Sequence, residues 1–290
     1  SAPIKPGDRA VIQGSSIAAP LMREIYRQVL KAGGYPIIIA SLPGIDEILF
    51  KTANDKQLEY IHEPVSYVFE NYEARYAIIC DENTKELTNI DPAKIAIARG
   101  ARRALLKTFI DRVAKKEMVW TGTLFPAQAH AQQAEMSLDE YSDFVFNACM
   151  PDQNDPVGYW KRIAAKQDRI IAWLNGKKQV HVVGPETDLT LSIEGRPFIN
   201  CASHINVPDG EIFCGPVENS INGHVYFSYP AIYLGREVTG VRLWFENGKV
   251  VKATADKNED YLLATLDSDE GARYVGEFAI GTNEGIQKFT

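Results

Sequence analysis

Two glutamates draw attention because each lies among apolar residues, where an ionised carboxylate is costly without a partner. Glu211 follows the turn sequence Pro208-Asp209-Gly210, and Glu277 lies in the largely apolar segment 274–281. A bound divalent cation or a basic group makes such carboxylates tolerable. The pattern alone favours a second interpretation, in which strand alternation points Glu277 at solvent and Glu211 decorates a turn, because most glutamates are exposed.

Other candidate ligands are scattered along the chain. None of the five histidines has a second histidine at ligand spacing; they are His62, His130, His181, His204 and His224. His204 lies seven residues before Glu211, so it is a candidate metal ligand or substrate contact, but isolated histidines are more often structural. Asp209 is a candidate acidic group that supports the metal ligands, although aspartate before glycine is usually a turn former.

Several function classes lack support. The chain contains no P-loop, no GxGxxG after its first strand, no HExxH and no GxSxG, so nucleotide binding and serine-hydrolase chemistry have no motif. The net charge of −7 and the absence of a basic run argue against binding to nucleic acid or anionic membranes.

The composition also indicates a compartment. The apolar runs are too short to cross a bilayer, and no leader pattern directs export. Four scattered cysteines without a CxxC pair predict reduced thiols in the cytoplasm; a disulfide between Cys201 and Cys214 is the disfavoured alternative.

The first half of the chain alternates predicted strands and helices. This rhythm predicts an α/β fold with a doubly wound, mainly parallel sheet and flanking helices. The segment 36–42 contains three consecutive isoleucines, which favours a strand covered on both faces. The predicted strands are 9–13, 36–42, 75–80 and 119–124, and the predicted helices are 18–32, 46–53, 65–72 and 93–116.

The character of the sequence changes near residue 175. Residues 126–175 read as helical, with a capping box at Ser137 and Glu140 and a helix start at Asp155-Pro156. From residue 180 onward strands dominate, with a hairpin signal at Asn247-Gly248 and one helix over 258–266. We therefore predict an N-terminal α/β domain with a helical extension over 1–175 and a strand-rich α+β domain over 176–290.

A family resemblance changes the weight given to the two glutamates. The segment 207–216, VPDGEIFCGP, resembles the P-x-G-E-[VI]-F-x-x-P segment of the thermophilic metallo-aminopeptidase family, metallopeptidase family twenty-nine, which includes the aminopeptidase T, aminopeptidase S and PepS types. Further segments resemble the family in the same order along the chain: KPGDR at 5–9, AAPL at 18–21, NSING at 219–223, ENGKVV at 246–251 and GEFAIGTN at 276–283.

The resemblance implies a function. It makes Glu211 and Glu277 metal ligands and catalytic residues that hold two divalent ions, Zn, Co or Mg/Mn. The ions would activate a water that releases the first residue of a peptide with a free N-terminus. A homodimer in the cytoplasm, with no nucleic acid or membrane partner, is implied as well.

The sequence also departs from the family pattern. The family completes its metal site with two histidines, an aspartate and a tyrosine downstream of the second glutamate, whereas this chain ends at Thr290. Two carboxylates alone hold Zn²⁺ weakly, so we expect the strand-rich domain to be incomplete and these 290 residues alone to be inactive. The alternatives are a non-catalytic or truncated binding or assembly module of this family, and an unrelated α/β hydrolase or nucleotide-binding protein.

Overall fold

A computed structural model describes residues 2–150, 152, 154–233 and 236–288 of the chain. The helices are α1 (Ala19–Lys31), α2 (Ile45–Thr52), α3 (Asp55–Glu59), α4 (Glu63–Asn71), α5 (Pro92–Ala101), α6 (Arg103–Ala114), α7 (Gln128–Gln133), α8 (Leu138–Cys149), α9 (Pro156–Leu174) and α10 (Glu259–Leu266). The strands are β1 (Arg9–Ser15), β2 (Tyr35–Ser41), β3 (Ala74–Ile79), β4 (Val119–Leu124), β5 (Gln179–Gly184), β6 (Thr187–Ser192), β7 (Ile199–Cys201), β8 (Asn206–Val207), β9 (Glu211–Cys214), β10 (Asn222–Phe227), β11 (Ala231–Tyr233), β12 (Arg236–Val238), β13 (Val241–Glu246), β14 (Lys249–Thr254) and β15 (Phe278–Gly281).

A five-stranded parallel sheet organises the first half of the chain, as the alternation of strands and helices predicts. Its order is β2-β1-β3-β4-β8, and every neighbouring pair is parallel. Alternate residues of β1 and β3 point to one face, where helix α1 covers them. The buried core on this face includes Ala10, Ile12, Tyr76, Ile78, Met22 and Val29.

The strand with three isoleucines differs from its prediction. β2 lies at the edge of the parallel sheet and has one neighbour, β1. Ile37 and Ile38, which point to opposite faces, are 41% and 38% exposed. The predicted burial on both faces is therefore wrong. A run of apolar residues does not reveal whether its strand is central or at an edge, because that depends on the strand order.

The predicted long helix over 93–116 is two helices. α5 ends at Ala101 and α6 begins at Arg103. The Arg102 amide donates back to the Arg99 carbonyl, which closes a tight turn and ends α5. Gly100 lies just before this turn, and glycine is a weak helix former.

The helical region after β4 follows its sequence signals. Ser137 and Glu140 form the predicted capping box at the start of α8. Asp155 caps α9, which begins at Pro156. Gly176, with a φ of +83°, follows the end of α9 and supplies the left-handed conformation that often ends a helix.

The second half contains antiparallel sheets. The larger one has the order β14-β13-β10-β6-β5, and its hairpin between β13 and β14 turns at Asn247 and Gly248 as predicted. β11 and β12 form a separate antiparallel pair, and β15-β9-β7 forms a three-stranded sheet. Together with the parallel sheet and its helices, these elements confirm the predicted mixed α/β class.

Two further expectations bear on the whole chain. All four cysteines are unpaired, as predicted, so Cys201 and Cys214 do not form a disulfide. In the part of the chain that the structure describes, each helix is too short or too polar to cross a lipid bilayer.

Candidate metal centre

Glu211 is the first residue of β9, the central strand of the three-stranded sheet. Its register partners are Cys201 on β7 and Gly281 on β15. Ile212 and Cys214 are buried on one face of β9, so Glu211 and Phe213 point to the opposite face. The side chain of Glu211 is half-buried. The carboxylate therefore lies on the face of β9 that points away from the apolar core around Ile212 and Cys214.

A tight turn delivers the chain to Glu211. Gly210 has a φ of +117°, a conformation that residues with a Cβ atom rarely adopt. A Cβ atom at this position would lie 2.5 Å from the Cβ of Asn283 and 3.1 Å from its backbone. The Asn283 side chain fixes the turn from the outside, because its Nδ2 donates to the Asp209 carbonyl over 2.8 Å. Glycine is therefore required both by the backbone and by the close approach of the C-terminal segment.

Glu277 lies outside the strand that the apolar segment predicts, while its exposure agrees with the interpretation that points it at solvent. It precedes β15, which starts at Phe278, and its side chain is exposed. The physical reason is that β9 ends at Cys214, which pairs with Phe278, so residue 277 has no strand partner on β9. The predicted apolar strand around Glu277 is therefore shorter than expected, and the carboxylate lies just outside it.

The charge of Glu277 nevertheless acts on Glu211. Desolvation raises the pKa of the Glu211 carboxyl, and the negative charges of Glu277 and Asp209 raise it further. Desolvation also raises the pKa of Asp209. Burial, together with the charges of Asp209, Glu211 and Glu277, raises the pKa of the Cys201 thiol to about 11. Three carboxylates, those of Asp209, Glu211 and Glu277, thus share one region beside a neutral thiol, and a bound cation would offset their negative charge.

Three of these side chains converge closely. One ligand atom from each of Cys201, Asp209 and Glu211 lies within 4.8 Å of the other two. We call these three residues the Glu211 group; Glu277 is not a member of it. Carboxylate oxygens, and a cysteine sulfur that loses its proton when it binds, are donors that suit Zn²⁺ and related divalent ions. The residues present therefore fit a divalent metal ion.

The sequence patterns identified some of these residues and missed others. Asp209 was a candidate for a supporting role, and it lies in the Glu211 group. For Cys201, the sequence predicts only a reduced thiol. Its position opposite Glu211 follows from strand pairing, for which the short segment 199–201 gives little local signal. His204 is exposed, and its charge lowers the pKa of Asp209, so it lies near the group without being a member.

Comparisons with known proteins identify the family of the chain. The family described as thermophilic metalloprotease (M29) matches residues 1–290. Aminopeptidase 2 of Geobacillus stearothermophilus is 26% identical over an alignment that covers 96% of this chain and 72% of the relative. Aminopeptidase T of Thermus thermophilus is 28% identical, with coverage of 78% of this chain and 59% of the relative.

A solved structure, wild-type AmpT from Thermus thermophilus, has the same fold. Its TM-score is 0.81 at 23% identity, and the match covers 96% of this chain and 74% of that one. The chain thus spans between about three fifths and three quarters of the length of these relatives. From the family match over its whole length, this chain belongs to the thermophilic metalloprotease (M29) family of peptidases.

Proposed function

We propose that this chain belongs to a metal-dependent aminopeptidase that releases N-terminal residues from peptides with a free α-amino group. The observation that carries the proposal is the half-buried Glu211 at the family's glutamate motif, with two more donor atoms within 4.8 Å of its carboxylate. The relatives named aminopeptidase 2 and aminopeptidase T support the substrate class.

Each glutamate has a defined part in this proposal. Glu211 is the first residue of β9, and Glu277 immediately precedes β15, so both lie at the three-stranded sheet. We assign both carboxylates to the binding of two divalent ions, Zn, Co or Mg/Mn. When bound, such ions lower the pKa of a water molecule and polarise the scissile carbonyl. The carboxylates supply the negative charge that holds the ions beside the substrate.

The location and assembly of the enzyme are proposals as well. The four unpaired cysteines support a reducing compartment, for which we propose the cytoplasm. A homodimer is proposed from the family resemblance alone, and sedimentation of the purified protein tests it.

The test combines metal binding and hydrolysis. In the aminopeptidase to which this chain belongs, we expect hydrolysis of leucine p-nitroanilide to require added Zn²⁺ or Co²⁺, and the N-acetylated substrate to be resistant because its amine is blocked. Glu211→Gln and Glu277→Gln should each weaken metal binding about 100-fold or more, since even residues around metal ligands contribute 10- to 100-fold. Glu218→Gln is the matched control, because Glu218 is exposed and lies beyond the end of β9.

The outcomes separate the alternatives. Metal binding that depends on both glutamates, with metal-dependent hydrolysis, supports the proposal. Binding without hydrolysis would agree with the expectation that these 290 residues alone are inactive. If neither glutamate affects metal binding and no peptide is cleaved, the non-catalytic binding or assembly module is the better description.

A further inference from the structure

Gln167 is a polar side chain that is completely buried in the seam between α9 and the three-stranded sheet. It lies in the middle of α9, where the helix packs on the three-stranded sheet, and it is 0% exposed. Its Nε2 donates to the Cys201 carbonyl over 3.2 Å and to the Thr282 hydroxyl over 2.8 Å. Its Oε1 has no hydrogen-bond partner among the described residues. An apolar residue of this size would avoid the desolvation of the amide, so packing alone does not explain a glutamine here.

The two partners of Gln167 both hold Gly210. The Thr282 hydroxyl donates to the Gly210 carbonyl over 3.0 Å, and the Thr282 amide donates to the same carbonyl over 2.6 Å. On the other side, the Gly210 amide donates to the Cys201 carbonyl over 3.0 Å. The Gly210 carbonyl belongs to the peptide unit whose nitrogen is that of Glu211. Fixing this carbonyl therefore fixes the direction in which Glu211 leaves the turn.

We infer that Gln167 is a positioning residue that orients Glu211 for metal binding through Thr282 and the Cys201 carbonyl. This inference rests on the proposed function. We call Gln167, Thr282, Gly210 and the Cys201 carbonyl the Gly210 clamp. The clamp joins α9, β7, the turn before β9 and the end of β15, so it holds together segments that are far apart in sequence. Groups that orient metal ligands typically contribute 10- to 100-fold to metal affinity.

A neighbouring residue provides a matched control. Asn200 lies in the same seam between α9 and β7, and its Nδ2 donates to the Ala164 carbonyl over 2.9 Å and to Asp168 Oδ1 over 2.7 Å. Its Oδ1 is buried without a partner among the described residues, as is Gln167 Oε1. The hydrogen bonds of Asn200 reach α9 and not the turn. Replacing it disturbs the seam but leaves the Gly210 clamp in place.

The experiment is a Co²⁺ titration of the purified protein, with the dissociation constant read from the visible absorption of bound Co²⁺ and with folding checked by circular dichroism. Gln167→Met preserves size and removes the donor, and Thr282→Val removes the hydroxyl. Both should weaken Glu211-dependent Co²⁺ binding about 10- to 100-fold. Thr282→Ser restores the hydroxyl and should bind Co²⁺ within about threefold of the wild type, and so should Asn200→Leu.

Each outcome decides the inference. The positioning role is supported if Gln167→Met and Thr282→Val bind Co²⁺ weakly and Thr282→Ser restores the affinity. The Asn200→Leu control must be folded and bind Co²⁺ normally. Unchanged affinity in a folded Gln167→Met protein overturns the inference alone and leaves the proposed function standing. If Gln167→Met does not fold, unchanged affinity in Thr282→Val overturns it in the same way. A wild type without Glu211-dependent Co²⁺ binding overturns the proposed function and this inference together.

Discussion

The parallel sheet is filled with apolar side chains, whereas the three-stranded sheet that carries Glu211 is held in part by buried polar ones. Ile12 and Ile78 are typical of the first, and Gln167 and Thr282 of the second. The parallel sheet takes its first four strands from consecutive β-α units. The three-stranded sheet collects β7, β9 and β15 from three separated segments. Apolar packing stabilises a fold without demanding one orientation, whereas hydrogen bonds have direction. The comparison assigns stability alone to the parallel sheet, and both stability and the positioning of Glu211 to the three-stranded sheet.

The largest expected effect is on the core of the parallel sheet. Ile12 is 0% exposed in β1, so Ile12→Ala should lower the free energy of unfolding by about 3 to 5 kcal/mol, measured by urea denaturation. Ile212, also 0% exposed, is the counterpart in the three-stranded sheet. Ile212→Ala should lose a similar amount and also weaken Co²⁺ binding, because it neighbours Glu211. A folded Ile12→Ala protein with equally weakened Co²⁺ binding would break the comparison.

The second-largest loss of stability is expected at the turn before Glu211. Gly210→Ala places a Cβ 2.5 Å from that of Asn283 at a φ of +117°. We expect a loss of about 2 to 4 kcal/mol in unfolding free energy, from overpacking and backbone strain, together with weaker Co²⁺ binding. Gly176→Ala is the control, since Gly176 also has a positive φ but no atom within 4 Å of the added Cβ. Equal losses in the two variants would show that the contact with Asn283 contributes nothing.

Local patterns predict the parallel sheet better than they predict the surroundings of Glu211. Short apolar segments separated by helical patterns predict β1, β3 and β4. The motifs around Glu211 and Glu277 identify these two residues as candidates. The edge position of β2, the pairing of Cys201 with Glu211 and the contacts of Gln167 depend on strand order and on residues distant in sequence. No local periodicity encodes such contacts, so they become visible only in three dimensions.

A smaller loss of stability is expected from an ion pair at the start of β1. Arg9 Nη2 contacts Glu73 Oε1 at 2.6 Å, and Arg9 Nε donates to Glu73 Oε2 over 3.1 Å. The hydrogen bond from Arg9 lowers the pKa of Glu73. The folded pKa lies below the unfolded one, so the pair stabilises the protein above the ordinary carboxyl pKa of about 4.3 and loses this contribution as the pH falls through the folded pKa.

We therefore expect Glu73→Gln to lower the free energy of unfolding by roughly 1 kcal/mol at neutral pH, allowing for solvent screening of the partly exposed pair. The difference from the wild type should narrow below about pH 4, as measured by urea denaturation across pH. A difference that stays constant with pH would mean that the charge of Glu73 is irrelevant to stability.

The smallest effect is expected at the edge of the parallel sheet. Ile37 is 41% exposed in β2, so Ile37→Thr should change the free energy of unfolding by less than about 1 kcal/mol. Thermal denaturation of Ile37→Thr and Ile12→Ala, measured side by side, compares an edge position with a buried position of the same sheet. A loss as large as that of Ile12→Ala would mean that β2 is covered on both faces after all.

Strand β8 gives the molecule a mechanical property. β8 is hydrogen-bonded to β4, and its last residue, Val207, accepts from the Thr123 hydroxyl over 2.7 Å. Only Pro208, Asp209 and Gly210 separate it from Glu211. Four residue steps reach at most about 14 Å. This connection is hydrogen-bonded to β4 at one end and to Thr282 and the Cys201 carbonyl at the other, so it limits how far the parallel sheet and the Glu211 carboxylate can lie apart.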